Sequence, residues 1–216
     1  MISILMPIYN GAEYLRESLP SVVGQTFEQW ELLIGVNGYP AGSTVYRKVA
    51  LYDSRKIRVF DLPDVKGKSQ ALNALVDKAS FPFMCLLDVD DIWEVTKLEK
   101  QFPYMGSYGV VGTNARYFGE RQDDPGIPTM EVGFEVFRRQ NPIVNSSAMF
   151  RKTDAHWGDI KGVEDYDMWC RLAAAGRTFF NIPEMLVQHR VHKDSAFNTA
   201  AYDASIADIR RRHGFI

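Results

Sequence analysis

Short apolar runs alternate with stretches of helical spacing through the first half of the chain, and this alternation restricts the fold more than any other feature. Ile2 to Met6, Trp30 to Val36, Ile57 to Phe60 and Phe83 to Leu87 read as strands. After Asn10-Gly11 turns the chain, Leu15, Leu19, Val22 and Val23 recur at helical spacing, and Lys68 to Lys78 carries Ala71, Leu72 and Leu75 on one face. Strands alternating with helices predict a doubly wound, mostly parallel sheet flanked by helices. With 216 residues, 46% of them hydrophobic, the chain suffices for one α/β domain.

The second half is less regular. Gly109 to Thr113, Ala115 to Phe118, Ser147 to Phe150, Thr178 to Asn181 and Met185 to Val191 read as strands, and Gln122 to Thr129 as a loop. Helices are expected over Phe134 to Arg139, Tyr166 to Ala175 and Ala200 to Arg212. The last ends in Arg210-Arg211-Arg212, which reads first as a solvated or dipole-favoured helix end and otherwise as a weak anionic-surface contact.

A formal net charge of −2 gives no reason to expect a nucleic-acid partner, although a small phosphorylated ligand needs only a few local cations. Cys85 and Cys170 fall in no metal or redox spacing, so buried thiols in a reducing compartment are expected. The apolar run after Met1 is too short for a signal peptide. Nothing approaches the roughly 20 residues of a membrane span. The expectation is a cytoplasmic chain with no membrane span.

The strongest chemical signal is Leu86-Leu87-Asp88-Val89-Asp90-Asp91, an apolar strand ending in three carboxylates. In open α/β sheets ligands bind beyond the carboxyl ends of strands. One Asp serves as a helix cap, here for a helix expected over Ile92 to Gln101, but three repel one another unless a cation offsets them. Hard oxygen ligands suit Mn²⁺ or Mg²⁺. Pro7-Ile8-Tyr9-Asn10 ends the first strand, where Tyr9 is either a stacking surface for a base or an ordinary aromatic lid. In Lys66 to Asn73, Gly67 admits close backbone approach and Lys68 stands at a helix N-terminus, a natural phosphate site. Glu164-Asp165 is either a dipole-favoured helix start or a carboxylate held as a general base. In Gln188 to Ser195, His192 is a metal-ligand candidate, and Arg190 and Lys193 are phosphate candidates.

In their order and spacing, Pro7 to Asn10, Ser21-Val22-Val23-Gly24-Gln25-Thr26, Gly67 to Asn73, Asp88 to Asp91, Glu164-Asp165 and Arg190-Val191-His192 resemble the inverting, nucleotide-sugar-dependent GT-A glycosyltransferases of family 2. The resemblance covers nearly the whole chain. It implies a Rossmann-like nucleotide-sugar half (residues 1–112), an acceptor half (113–192) and a helical tail (193–216). It also implies that Pro7, Tyr9, Asn10, Asn37, Lys68, Asp88, Val89, Asp90 and Arg190 bind the nucleotide sugar, with Tyr9 against the base, Asp88 on the ribose and Lys68 at the diphosphate or base. Asp90, Asp91 and His192 would hold the metal, Asp165 would act as base and Glu164 would help place substrate.

One departure stands out. The family commonly ends its second strand in Asp-Asp-Gly, whereas this chain reads Ile34-Gly35-Val36-Asn37-Gly38, so a base contact falls to Asn37. The implied reaction is transfer of one sugar by in-line displacement from a nucleotide diphosphate, UDP slightly favoured, to a glycan or other hydroxyl acceptor. The Gln-x-x-Arg-Trp segment of processive synthases is absent. A sugar-nucleotide pyrophosphorylase would instead show a glycine-rich cationic loop after the first strand. A noncatalytic sugar-nucleotide module is suggested only by the altered residue at position 36.

Overall fold

The computed structural model describes residues 1–192 and 202–216. Lys193, Asp194, Ser195 and the expected helix start at Ala200 lie outside the described residues.

Strands β1 (Ile2–Ile8), β2 (Trp30–Asn37), β3 (Ile57–Leu62) and β4 (Phe83–Leu86) form a parallel block in the order β3-β2-β1-β4. The connections carry α1 (Leu15–Val23), α2 (Thr44–Val49) and α3 (Lys68–Lys78). The sheet continues through β8 (Met149–Arg151), β6 (Val110–Gly119) and β9 (Phe179–Val191) to β5 (Ile92–Trp93), with β7 (Met130–Val132) also on β9. β8 runs antiparallel to both β4 and β6, while β6 and β9 are parallel. The division expected at residue 112 falls inside β6, so one sheet spans both halves.

Alternation along β1 explains the two-faced core. Ile2, Ile4, Met6 and Ile8 join Leu15, Leu19 and Val22 of α1 on one face. Leu5 joins Leu72, Leu75 and Val76 of α3 on the other, together with Met168, Trp169 and Leu172 of α5 (Glu164–Ala174) and Ile209 of α6 (Asp203–Arg212). A buried Leu or Ile contributes about 1.5 to 3 kcal/mol over an exposed one, so these periodic positions hold the layers together. Val23, expected with them, points outward at 57% exposure. Both thiols are free and buried.

The helix expected over Ile92 to Gln101 is replaced by β5 and the short helix α4 (Lys97–Gln101). Long-range partners outweigh helix propensity here: Trp93 N–H donates to Ser21 Oγ, and the Gln25 side chain donates to Glu94 O and accepts from Leu98 N. This gives the Ser21 to Thr26 segment a structural purpose. The two strands expected at 109–113 and 115–118 are one strand with register shifts around Asn114, and those at 178–181 and 185–191 are both part of β9. Pro183 has no N–H for the ladder and falls at that irregularity. Helix α2, capped by Ser43 Oγ accepting from Tyr46 N, was not foreseen. The tail arginines are not simply solvated: Arg210 donates to the Tyr166 hydroxyl and Arg212 to Asp167, so α6 is clasped to α5.

Candidate active site

From β1 the chain steps outward to β2 and β3, then returns through α3 to β4 on the other side of β1. The crevice where strand order reverses is where ligands enter such sheets. Tyr9 follows one strand end, Asp88 follows the other, and Lys68 opens α3 between them. A methyl group at Gly67 would meet nothing within 4 Å, and its φ of 87° suits glycine, so the backbone at the start of α3 lies open.

Asp88 is held from three sides. Lys68 Nζ lies 2.7 Å from Oδ1, Asn145 Nδ2 donates to both oxygens at 3.2 and 3.1 Å, and the Asp88 N–H donates to Ser146 Oγ at 3.0 Å. Burial alone would raise its pKa, but the Lys68 ammonium, the Asn145 amide and His189 bring it below the ordinary carboxylate value. Asn145 and Ser146 were missed by sequence reasoning. Their only signal was a polar Asn-Ser-Ser run before a strand.

Asp90 and Asp91 have opposite fates. Asp91 is wholly buried, with Oδ1 accepting from Arg190 N at 2.8 Å and Oδ2 facing His189 Nδ1 at 3.0 Å. Both oxygens are committed to fastening β9, which takes Asp91 out of the expected metal set. Asp90 Oδ2 faces His192 Nε2 at 3.1 Å. Burial, then the charges of Asp91 and Asp88, push the Asp90 carboxyl up to about 6. Among the described residues no group of three or more His, Cys, Asp and Glu side chains forms a ready metal cage. An Asp and a His supplemented by phosphate and water oxygens still suit Mn²⁺ or Mg²⁺, which are commonly held with substrate phosphates rather than by protein alone. Arg190 donates to Asp90 O and to Glu17 and lies over the Tyr14 and Phe118 rings, and His192 stacks on Tyr14. The Arg190 guanidinium is thus engaged in bracing the acidic loop.

Glu164 and Asp165 open α5. A helix N-terminus ordinarily favours ionised acids. Here burial and then the neighbouring Glu164 push Asp165 up to about 6, against the lowering effects of Lys68 and of Asn141, which donates to Oδ2 at 2.9 Å. Glu164 Oε2 is buried with no hydrogen-bond partner. Lys68 ties the two acidic clusters together: burial opposes its charge, but Asp88, Glu164 and Asp165 together raise its pKa above the ordinary lysine value.

At the β1 and β2 ends, the Tyr9 ring is 59% exposed and lies 5.9 Å from that of Tyr39, whose hydroxyl donates to Tyr9 O and reaches Asn10 Oδ1 at 3.4 Å. Pro7 is half-buried, Asn10 is exposed, and Val89 is buried in the apolar cluster, leaving its backbone for contact. Val36 is buried in the same cluster. Val36→Asp would therefore bury a charge there, not simply restore a base contact. Asn37 is 1% exposed and its Nδ2 has no partner.

A mixed sheet with this crevice is GT-A glycosyltransferase architecture. The fold superposes on S. aureus TarS residues 1–349 in complex with UDP-GlcNAc, with TM-score 0.77 and 16% identity over 99% of this chain and 65% of that one. It also matches the mannosyltransferase PcManGT of Pyrobaculum calidifontis in complex with GDP-Man and Mn²⁺, with TM-score 0.68 and 16% identity over 90% and 58%. The glycosyl transferase family 2 model matches residues 3–163, and the chain belongs to that family. Similar relatives include the O-antigen biosynthesis glycosyltransferase WbnJ of Escherichia coli, 26% identical over 93% of this chain and 83% of that protein. An uncharacterized glycosyltransferase of Rickettsia bellii is 23% identical over 90% of this chain, which spans only 30% of it. No helix among the described residues is long and apolar enough to cross a membrane.

Proposed function

We propose that this domain transfers a single sugar, with inversion, from a nucleotide-diphosphate donor to a hydroxyl of a glycan acceptor in glycan biosynthesis. The observation that carries this reading is the crevice joining a lysine-bound Asp88 to a half-buried Asp165 of raised pKa. Tyr9 offers a ring for the base, Asp88 an acceptor for ribose hydroxyls, and Lys68 with the open start of α3 a cationic seat for the diphosphate. Asp90 and His192 would hold Mn²⁺ or Mg²⁺, whose charge would offset that developing on the leaving diphosphate. Asp165 takes the acceptor hydroxyl proton as the oxygen attacks the anomeric carbon, and one displacement inverts that centre. Arg190 acts by positioning the Asp90 backbone. Uridine donors are the first choice, since one structural neighbour holds UDP-GlcNAc, while another with GDP-Man keeps guanosine donors in the comparison.

The test is a thermal-shift panel of UDP-, GDP- and dTDP-sugars with Mn²⁺, followed by NMR of the anomeric configuration of the product. The reading expects one nucleotide class to raise the melting temperature, because ligand binding to the native state stabilises it. No shift with any donor, or a retained configuration, would overturn it.

A further inference from the structure

Lys97, the first residue of α4, is wholly buried within the apolar cluster that holds Trp93, Leu98 and Val111. Its Nζ donates to Gln101 Oε1 at 2.8 Å and stands 4.0 Å from the centre of the Trp93 ring. No ion pair with an acidic side chain is formed by Lys97 among the described residues, and burial brings its pKa down to about 8. Burying an ammonium opposes folding, and a methionine of similar length would avoid that cost. The amine must therefore be judged by what it organises.

A glutamine amide has an accepting end and a donating end. Lys97, which only donates, claims the accepting oxygen of Gln101. The Gln101 amide nitrogen is thereby directed to Val111 O and Ser147 O, the latter at 2.7 Å. The ammonium also fixes the indole of Trp93, whose Nε1 donates to Ser146 O at 2.7 Å. The turn Asn145–Ser147 is thus gripped at two successive carbonyls, and the same turn supplies the Asn145 amide and Ser146 hydroxyl that hold Asp88.

We propose that Lys97 is a positioning residue for the nucleotide site, acting through Gln101 and Trp93 on the 145–147 turn and so on Asp88. This rests on the reading of Asp88 as a donor contact. Among the described residues Lys97 is the one Lys or Arg that is fully buried, and its removal should favour the fold while harming the site.

The experiment compares wild type, Lys97→Met and Gln101→Glu in the full chain, by melting temperature, UDP affinity in Mn²⁺ by calorimetry, and crystal structure. Lys97→Met removes the buried charge. Gln101→Glu gives Lys97 a counter-charge but removes the donor to Ser147 O, so it guards against a folding failure of the first variant. The expected result is an unchanged or raised melting temperature in at least one variant, UDP affinity weakened about tenfold, the lower end of what lost outer-shell support costs a site, and Asn145 displaced from Asp88. A folded variant with Asn145 still on Asp88 and UDP affinity within twofold of wild type would overturn the proposal. If wild type itself binds no nucleotide, the reading of the site fails, and the crystal structures still decide whether Lys97 sets the turn.

Discussion

The two acidic clusters on either side of Lys68 are built on opposite plans. In the 88–91 loop each carboxylate has its own partner: Asp88 takes Lys68 and Asn145, Asp90 faces His192, and Asp91 is sealed against His189 and the Arg190 backbone. At the start of α5 the pair is undersupplied, with Asn141 on Asp165 and an unpartnered oxygen on Glu164. A loop that fixes each acid separately suits holding a cation and a charged ligand. A half-buried acid with few partners and a pKa near 6 suits taking and releasing a proton near neutrality.

The largest effect that tests this contrast is on turnover. Asp165→Asn keeps shape and most hydrogen bonding but removes basicity, so turnover should fall by roughly two to four orders of magnitude. Donor affinity should barely change. Initial rates with saturating donor check this, and a near-normal rate would reduce Asp165 to a helix-start charge.

Next in size is the loss of cation-dependent binding. Asp90→Ala should abolish the part of nucleotide affinity that depends on Mn²⁺ while leaving the melting temperature of the ligand-free protein unchanged or higher, because the removed carboxyl is disfavoured as a charge where it stands. Calorimetry in Mn²⁺ and in EDTA reads both terms.

The contrast also predicts a pH dependence. Asp165 must be ionised to accept a proton, and its pKa is about 6, so turnover at saturating Mn²⁺ should fall below that pH with a single-proton limb. The sign for stability is opposite. With a native pKa above the unfolded value, the folded state binds more protons between about 4 and 6, so this group's contribution to stability falls as pH rises through that window. Asp165→Asn should remove both effects.

The parallel half was largely legible because its signals are periodic. Strand and helix patterns located β1 to β4, α1 and α3, and the strand-end acids located the crevice. The second half was less legible because its order comes from partners distant in sequence. Gln25 and Ser21 turn an apparent helix at Ile92 into a strand, and Asn145 and Ser146 reach Asp88 from a turn with no motif of its own. Three clustered acids signalled a metal site, but spacing alone cannot distinguish Asp90, which faces the crevice residue His192, from Asp91, which is buried against β9.

The smallest effect concerns the base. Asn37 Nδ2 lacks a partner, and if it serves the base, Asn37→Ala should weaken nucleotide binding by about 0.5 to 1.5 kcal/mol, the net worth of one hydrogen bond. Dissociation constants for UDP, GDP and dTDP that do not move would leave the base to Tyr9 and backbone groups.

The central claim, that one cluster holds the charged donor and the other handles the proton, is tested most directly by calorimetric titration of UDP into wild type, Asp90→Ala and Asp165→Asn, each in Mn²⁺ and in EDTA. The account predicts Mn²⁺-dependent binding in wild type, the same in Asp165→Asn, and no Mn²⁺ dependence in Asp90→Ala. Equal wild-type affinity in Mn²⁺ and EDTA, or an Asp165→Asn defect as large as that of Asp90→Ala, would contradict it.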